Sequence, residues 1–133
     1  MAIVVGFIPT PEGQAALVQA ELEARLRKTN LIVVSTHDRA QEKDAAAVAR
    51  FESELEEAAS RLEAAGLSYE VRRFDRGRLP SEEVVEVADE VDADLIVIGL
   101  RRRSPLGKLV LGSQAQDILM DANRAVLTVK APA

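Results

Sequence analysis

The chain has 133 residues, of which 47% are hydrophobic, which suits one compact domain with an ordinary core. It contains no cysteine, so disulfides, thiol catalysis and cysteine-based metal sites are excluded. A net charge of -5 and an aromatic content of 3% argue against a nucleic-acid binder, which needs a broad basic face and stacking platforms. No apolar run approaches the roughly 20 residues that span a bilayer, and no basic leader precedes the first strand. We therefore expect a cytoplasmic protein that contacts no membrane.

In the first part of the chain, apolar runs typical of buried strands alternate with helical patterns. Ile3 to Ile8 form the first run, and Thr10 followed by Pro11 is a typical helix start. The next helix carries an apolar stripe that we expect to be its buried face: Ala15, Val18, Leu22 and Leu26. Leu31 to Val34 then repeat the buried-strand pattern.

A long helix and a partly exposed strand come next. Gly66 is a suitable end signal for the helix, whose predicted buried stripe is Val48, Phe51, Leu55, Ala59 and Leu62. From Leu67 to Val71, apolar and polar residues alternate, which indicates a strand near an edge of the sheet. Ser81 is a candidate cap for a third helix, with apolar residues Val84, Val85, Ala88 and Val91.

The fourth strand organises the predicted sheet. Leu95 to Ile98 is a continuous apolar run, typical of a strand that is covered on both faces, and Ala125 to Val129 form a fifth strand. The alternation predicts one α/β domain over residues 1–133, an open parallel sheet with helices on both faces. If the third strand is an edge, the fourth lies beside the first. A ligand crevice then lies beyond their carboxyl ends, walled by residues 7–10 and 99–113, with Thr36 as a third side.

One segment reverses the acidic charge of the protein. Between Asp94 and Asp117 there are four cations and no carboxylate. Gly112 and Ser113 begin a helix there, and the unpaired N–H groups of a helix start favour an anion. Either signal alone has an ordinary explanation, because arginines often form a solvated loop tip and glycine with serine often begins a helix. Their joint position at the predicted crevice indicates an anion-binding site.

The segment from Gly99 to Ser113 resembles the nucleotide-binding loop of the universal stress protein family, and the resemblance covers essentially the whole chain. In nucleotide-binding members the pattern is glycine, two residues, glycine, nine residues, glycine, then serine or threonine. Gly99, Gly112 and Ser113 match it. Arg102 stands at the middle glycine, and Ile8 stands where binding members usually carry an aspartate that contacts the nucleotide.

The resemblance implies a flavodoxin-like, adenine nucleotide alpha hydrolase-like fold with strand order 3-2-1-4-5. It also implies a homodimer through the last strand, Val126 to Val129, and in one subclass bound ATP or another adenine nucleotide, with Mg²⁺ only alongside the nucleotide. Within the implied site, Gly112, Ser113 and Gln114 give donors to phosphates and Gly99 allows close approach. The remaining predicted residues screen charge (Arg101, Arg102, Arg103), lie at the adenine side (Thr36) or form an apolar floor (Ile8, Pro9).

Two other functions fit the same residues. In the first, the protein has lost its nucleotide and acts as an interaction or oligomerisation module, whose basic loop docks on an acidic partner. The second is a slow ATPase or phosphotransferase. Nothing in the spacing links Ser113 to His37 as a nucleophile and base, so we expect a protein that is not an enzyme.

Overall fold

The computed structural model describes residues 2–7, 10–35, 45–74, 79–102 and 109–131. Strands and helices alternate in this order: β1 (Ala2–Phe7), α1 (Pro11–Arg27), β2 (Asn30–Ser35), α2 (Ala45–Ala64), β3 (Tyr69–Arg73), α3 (Pro80–Glu90), β4 (Leu95–Arg102), β5 (Leu109–Val110), α4 (Ser113–Asp121) and β6 (Ala125–Lys130). The five longer strands and four helices are those that the sequence predicts. The short strand β5 is an addition.

Five parallel strands form the sheet in the order β3-β2-β1-β4-β6. The apolar runs of the central strands lie side by side, with Ile3 opposite Leu31 on one side and opposite Leu95 on the other. The predicted fold and the predicted strand order are therefore confirmed, with β3 at one edge and the fourth strand beside the first. At the other edge, β6 pairs only with β4 within the described residues.

The fourth strand is longer than predicted. It continues past Gly99 to Arg102, and its end pairs antiparallel with β5, so that Arg101 lies opposite Val110 and Arg102 opposite Leu109. The expectation that a loop begins at Gly99 is wrong. The pairing joins two short segments, and neither of them has a strand pattern of its own.

Two hydrophobic clusters cover the two faces of the sheet. On one face α1 and α2 pack over the central strands, and Phe51, Leu55 and Leu62 are buried as predicted. On the other face α3 and α4 supply Val84, Ala88 and Ile118. Because both faces are covered, the central strands bury side chains in both directions.

The buried face of α1 differs from the predicted one. Val18, Leu22 and Leu26 are 64%, 46% and 69% exposed. The buried residues are mostly small: Gly13, Ala16, Leu17, Ala20, Glu21 and Ala24. Small side chains let a helix axis come close to a sheet, and this close approach outweighs the larger apolar area of the leucine stripe.

Two helix ends can be compared with their predicted signals. Gly66 follows the end of α2 with a φ of +76°, where glycine avoids the steric cost of a Cβ, as predicted. The prediction that Ser81 caps α3 is wrong, because α3 begins at Pro80 and its N-cap residue is Leu79. Proline at the first helical position supplies the start signal instead.

A half-buried ion pair joins the two helices on one face. The guanidinium of Arg61 on α2 donates to both carboxylate oxygens of Glu21 on α1, with Nε–Oε2 and Nη2–Oε1 distances of 2.8 Å. Glu21 is buried, and Arg25 on its own helix lies 3.7 Å from its carboxylate. The buried charge is therefore compensated, and α1 is held in place against α2.

Candidate functional site

The candidate site lies beyond the carboxyl ends of β1 and β4, where the winding direction of the sheet reverses. β1 ends at Phe7, which pairs with Ser35 at the end of β2, and β4 extends beyond both as far as Arg102. The helices α1, α3 and α4 all begin at this edge. Open parallel sheets bind ligands at such a position, so this crevice is the place to look for chemistry.

At one wall of the crevice, Gly99 meets the first turn of α1. A Cβ placed on Gly99 would lie 2.2 Å from the backbone oxygen of Glu12 and 2.6 Å from its carbonyl carbon. No side chain fits there unless backbone moves. Glycine at this position is therefore required by the packing of α1 against β4, and Glu12 fills the space beside its Cα.

The first turn of α1 is also closed by its own cap. The Thr10 hydroxyl accepts a hydrogen bond from the backbone N–H of Gly13 at 3.1 Å, as the sequence predicts for this residue. Glu12 adds a carboxylate to the same turn. A capped and acidic helix start is poorly suited to bind a phosphate.

The start of α4 is different in each of these respects. Gly112 is its N-cap residue with a φ of -66°, and a glycine has no side chain to cap the helix. Among the described residues, a Cβ on Gly112 would meet nothing within 4 Å. The first turn contains no acidic residue, and Ser113 is exposed. With respect to these residues, the amides that begin α4 are accessible to an anion, and neither φ nor packing requires a glycine here.

Gln114 makes a contact that the sequence does not indicate. Its side-chain Oε1 accepts a hydrogen bond from the backbone N–H of Ser81 at 2.9 Å. Ser81 is the second residue of α3, it is 2% exposed, and the N-cap Leu79 offers no side-chain acceptor to that helix. The side-chain oxygen of Gln114 therefore caps α3, while its backbone amide and its side-chain NH2 group keep N–H donors for a phosphate.

Arg102 takes an ordinary backbone conformation. It lies in β4, and the non-glycine residues with positive φ in the described segments are Lys28 and Asp92. An arginine at the position of the middle motif glycine is thus accommodated by strand pairing with β5 and without backbone strain. Arg101 lies in the same strand beside it.

Several predicted site residues lie outside the described residues: Ile8, Pro9, Thr36 and Arg103. The described residues bring Gly99, Gly112, Ser113 and Gln114 to the same edge of the sheet. Of these, Gly99 and the Gln114 side chain have packing roles, while Gly112 and Ser113 face open space.

Other chemistry is absent from the parts of the chain that the structure describes. They contain no group of three or more His, Cys, Asp or Glu residues able to hold a metal ion. Among the same residues, no helix is long and apolar enough to cross a membrane. Burial raises the pKa of Tyr69 to about 12, but this residue begins β3 and so lies at the opposite end of the strands from the crevice.

The strand order and the position of the crevice define a class: α/β proteins with a doubly wound parallel sheet and a binding site at the switch point. Residues 1–130 match the universal stress protein family, and the chain belongs to this family.

Several known proteins are similar to this chain over nearly their whole length. A universal stress protein from Mycolicibacterium smegmatis is 39% identical over 130 residues, which are 96% of each chain. The universal stress protein from Archaeoglobus fulgidus, solved in complex with dAMP, is 32% identical with a TM-score of 0.70 and covers 98% of each chain. A universal stress protein solved in complex with cAMP is 25% identical with a TM-score of 0.68, over 99% of this chain and 98% of that one.

Proposed function

We propose that this protein binds an adenine nucleotide, ATP or AMP, at the crevice beyond β1 and β4, and that it acts as a regulatory protein of the stress response. One observation carries the proposal. The start of α4 has no side-chain cap from its N-cap residue, no carboxylate in its first turn and, as far as the described residues reach, open space beside Gly112. Relatives of the same fold are bound to dAMP and cAMP.

The roles proposed at α4 rest on its geometry. The backbone amides of Ser113 and Gln114 and the Ser113 hydroxyl donate to phosphate oxygens, and the missing Cβ of Gly112 lets a phosphate approach the chain. The other proposed roles rest on the family resemblance: Arg101, Arg102 and Arg103 balance the phosphate charge, Thr36 lies at the adenine side, and Ile8 and Pro9 form an apolar floor.

Ile8 in place of an aspartate removes one polar contact to the nucleotide. Such a contact contributes about 1–3 kcal/mol, which corresponds to about tenfold or more in affinity. Charge-assisted bonds from the arginines can offset part of this loss. We therefore expect an affinity below that of family members with the full motif.

We propose that the bound nucleotide is not turned over. Mg²⁺ enters only as the companion of the nucleotide phosphates, because Ile8 supplies no carboxylate for it. A colorimetric assay should detect no phosphate release above a protein-free blank. Release that exceeds the blank and falls in Ser113→Ala would contradict this and would indicate a slow ATPase.

Calorimetry tests the binding itself. Titration of the protein with ATP and with AMP should give saturable heat at a stoichiometry of one per chain. Denaturation of the freshly purified protein should release a nucleotide that mass spectrometry detects. If neither ligand gives heat or a thermal shift at millimolar concentration, the proposal fails, and the interaction module becomes the better explanation of the basic segment.

We also propose a homodimer that forms in the cytoplasm through β6. Residues Val126 to Val129 lie in an edge strand whose outer side has no partner strand within the described residues, and such an edge invites pairing with a second copy. Light scattering at tens of micromolar should give twice the chain mass. A monomer mass at that concentration would contradict it.

A further inference from the structure

The side chain of Gln114 joins the starts of two helices. It belongs to the first turn of α4, and its Oε1 lies 2.9 Å from the backbone N–H of Ser81 in the first turn of α3. Both helices lack a side-chain cap from their own N-cap residue. This one bond therefore satisfies an amide of α3 and at the same time fixes the position of the first turn of α4.

The group that accepts this bond is a neutral amide, although a carboxylate would accept a hydrogen bond from the same Ser81 N–H. A glutamate has the same length, and its negative charge would favour the positive ends of both helices. The first turns of α1 and α3 do carry carboxylates, at Glu12, Glu82 and Glu83, whereas that of α4 carries none. A glutamate at position 114 would place a negative charge beside the exposed amides of α4.

We propose that Gln114 is a positioning and specificity-determining residue of the nucleotide site. Its neutral amide holds the first turn of α4 against α3 without adding a charge, and so keeps that turn selective for anionic, phosphorylated ligands. This inference rests on the proposed function. The inference goes further than the proposed function because it names one side chain, Gln114, as the reason why a phosphorylated ligand is preferred over its unphosphorylated nucleoside.

Gln114→Glu is the informative variant, because it keeps the acceptor for Ser81 and replaces the side-chain NH2 group by a charged oxygen of about the same size. We expect an unchanged melting temperature or a rise of about 2 °C. ATP should bind about tenfold more weakly, while adenosine should bind as to the wild type. The ATP deficit should shrink as salt is raised, because screening weakens charge repulsion.

Asn123→Asp is the charge control. Asn123 is exposed and follows the other end of α4, beyond Asp121. The variant should bind ATP within about twofold of the wild type, because the length of the helix, about 13 Å, separates its charge from the first α4 amides by more than a Debye length. Equal ATP affinity in Gln114→Glu and the wild type, or equal loss in both variants, would overturn the proposal. So would a parallel loss of ATP and adenosine binding with a lower melting temperature, because that pattern indicates unfolding.

Gln114→Ala tests the positioning role. The variant should melt about 4 °C lower because the Ser81 amide loses its acceptor, and ATP should bind more weakly at every salt concentration. Gln116→Ala removes an exposed side chain of the same helix that makes only a 3.4 Å bond to the Leu111 carbonyl, and it should differ little from the wild type in both measurements. Wild-type affinity in Gln114→Ala would show that the tether has no role in binding.

Inorganic tripolyphosphate separates this inference from the proposed function. If the wild type binds neither ATP, AMP nor adenosine but binds tripolyphosphate, and Gln114→Glu weakens that binding, the nucleotide proposal fails while the role of Gln114 stands. If the wild type binds ATP and Gln114→Glu binds it equally well, the nucleotide proposal stands and the proposed role of Gln114 fails. Failure of the wild type to bind either ATP or tripolyphosphate overturns both.

Discussion

The two outer glycines of the Gly99 to Ser113 segment have opposite surroundings. At Gly99 the place of a Cβ is filled by the backbone of Glu12, 2.2 Å away. At Gly112 no described residue comes within 4 Å of the same place, and the φ of -66° suits any residue. A single sequence motif therefore combines a glycine that the packing of α1 requires with a glycine that no described contact requires. In the proposed function, the small size of the second glycine serves the ligand.

The largest expected effect that tests this comparison comes from Gly99→Ala. The added methyl group must displace the backbone of Glu12 or of β4, which we expect to cost about 3 kcal/mol and to lower the melting temperature by roughly 10 °C. Calorimetric or circular-dichroism melting measures this. A melting temperature within about 2 °C of the wild type would show that α1 can move away from β4 at little cost.

Gly112→Ala should show the opposite pattern. The free energy of unfolding should stay within about 0.5 kcal/mol of the wild type, because the methyl group enters open space. ATP affinity should fall about tenfold if the phosphate lies against this Cα. Titration calorimetry beside a melting curve makes both measurements on one sample. Lost stability with unchanged affinity would reverse the roles assigned to the two glycines.

The smallest of the three effects concerns the helix start beside Gly99. Thr10→Ala removes the acceptor of the Gly13 amide and should cost about 1 kcal/mol of stability. ATP affinity should not change, because the first turn of α1 is closed to anions by its cap and by Glu12. Thr10→Ser keeps the hydroxyl and serves as the control. Weaker ATP binding in Thr10→Ala alone would place the ligand nearer to α1 than we propose.

Much of the fold could be predicted because its signals are local. Continuous apolar runs such as Leu95 to Ile98 indicate buried strands, and the alternation with helices fixes the parallel order. Thr10 and Gly66 act as cap and end signals at the places where they were expected. Each of these features depends on residues close together in the sequence.

The features that were predicted wrongly or missed depend on contacts between distant parts of the chain. The buried face of α1 is set by how closely the helix approaches β4, so Ala20 and Ala24 are buried while Leu26 is exposed. The hairpin of β4 with β5 and the bond from Gln114 to Ser81 both depend on contacts across the tertiary structure. Apolar periodicity in one helix or strand carries no information about such distances.

Of the candidate site, the sequence predicted the helix start and only part of the contacts. Gly112 and Ser113 begin α4 as the motif predicts, and that a ligand binds there stays a prediction. The motif spacing could not separate the two roles of glycine, because a contact with Glu12 and open space look the same in a sequence. It also gave no sign that the Gln114 side chain caps α3.

The small residues that line the inner face of α1 have a consequence for how the protein tolerates mutation. Ala16, Ala20 and Ala24 are completely inaccessible to solvent, so at these three positions α1 packs closely with no flexible side chain to move aside. A larger residue at any of them must shift the helix. Because the first turn of α1 contacts Gly99, we expect such a shift to reach the mouth of the crevice. Substitutions at these alanines should therefore change ligand affinity as well as stability.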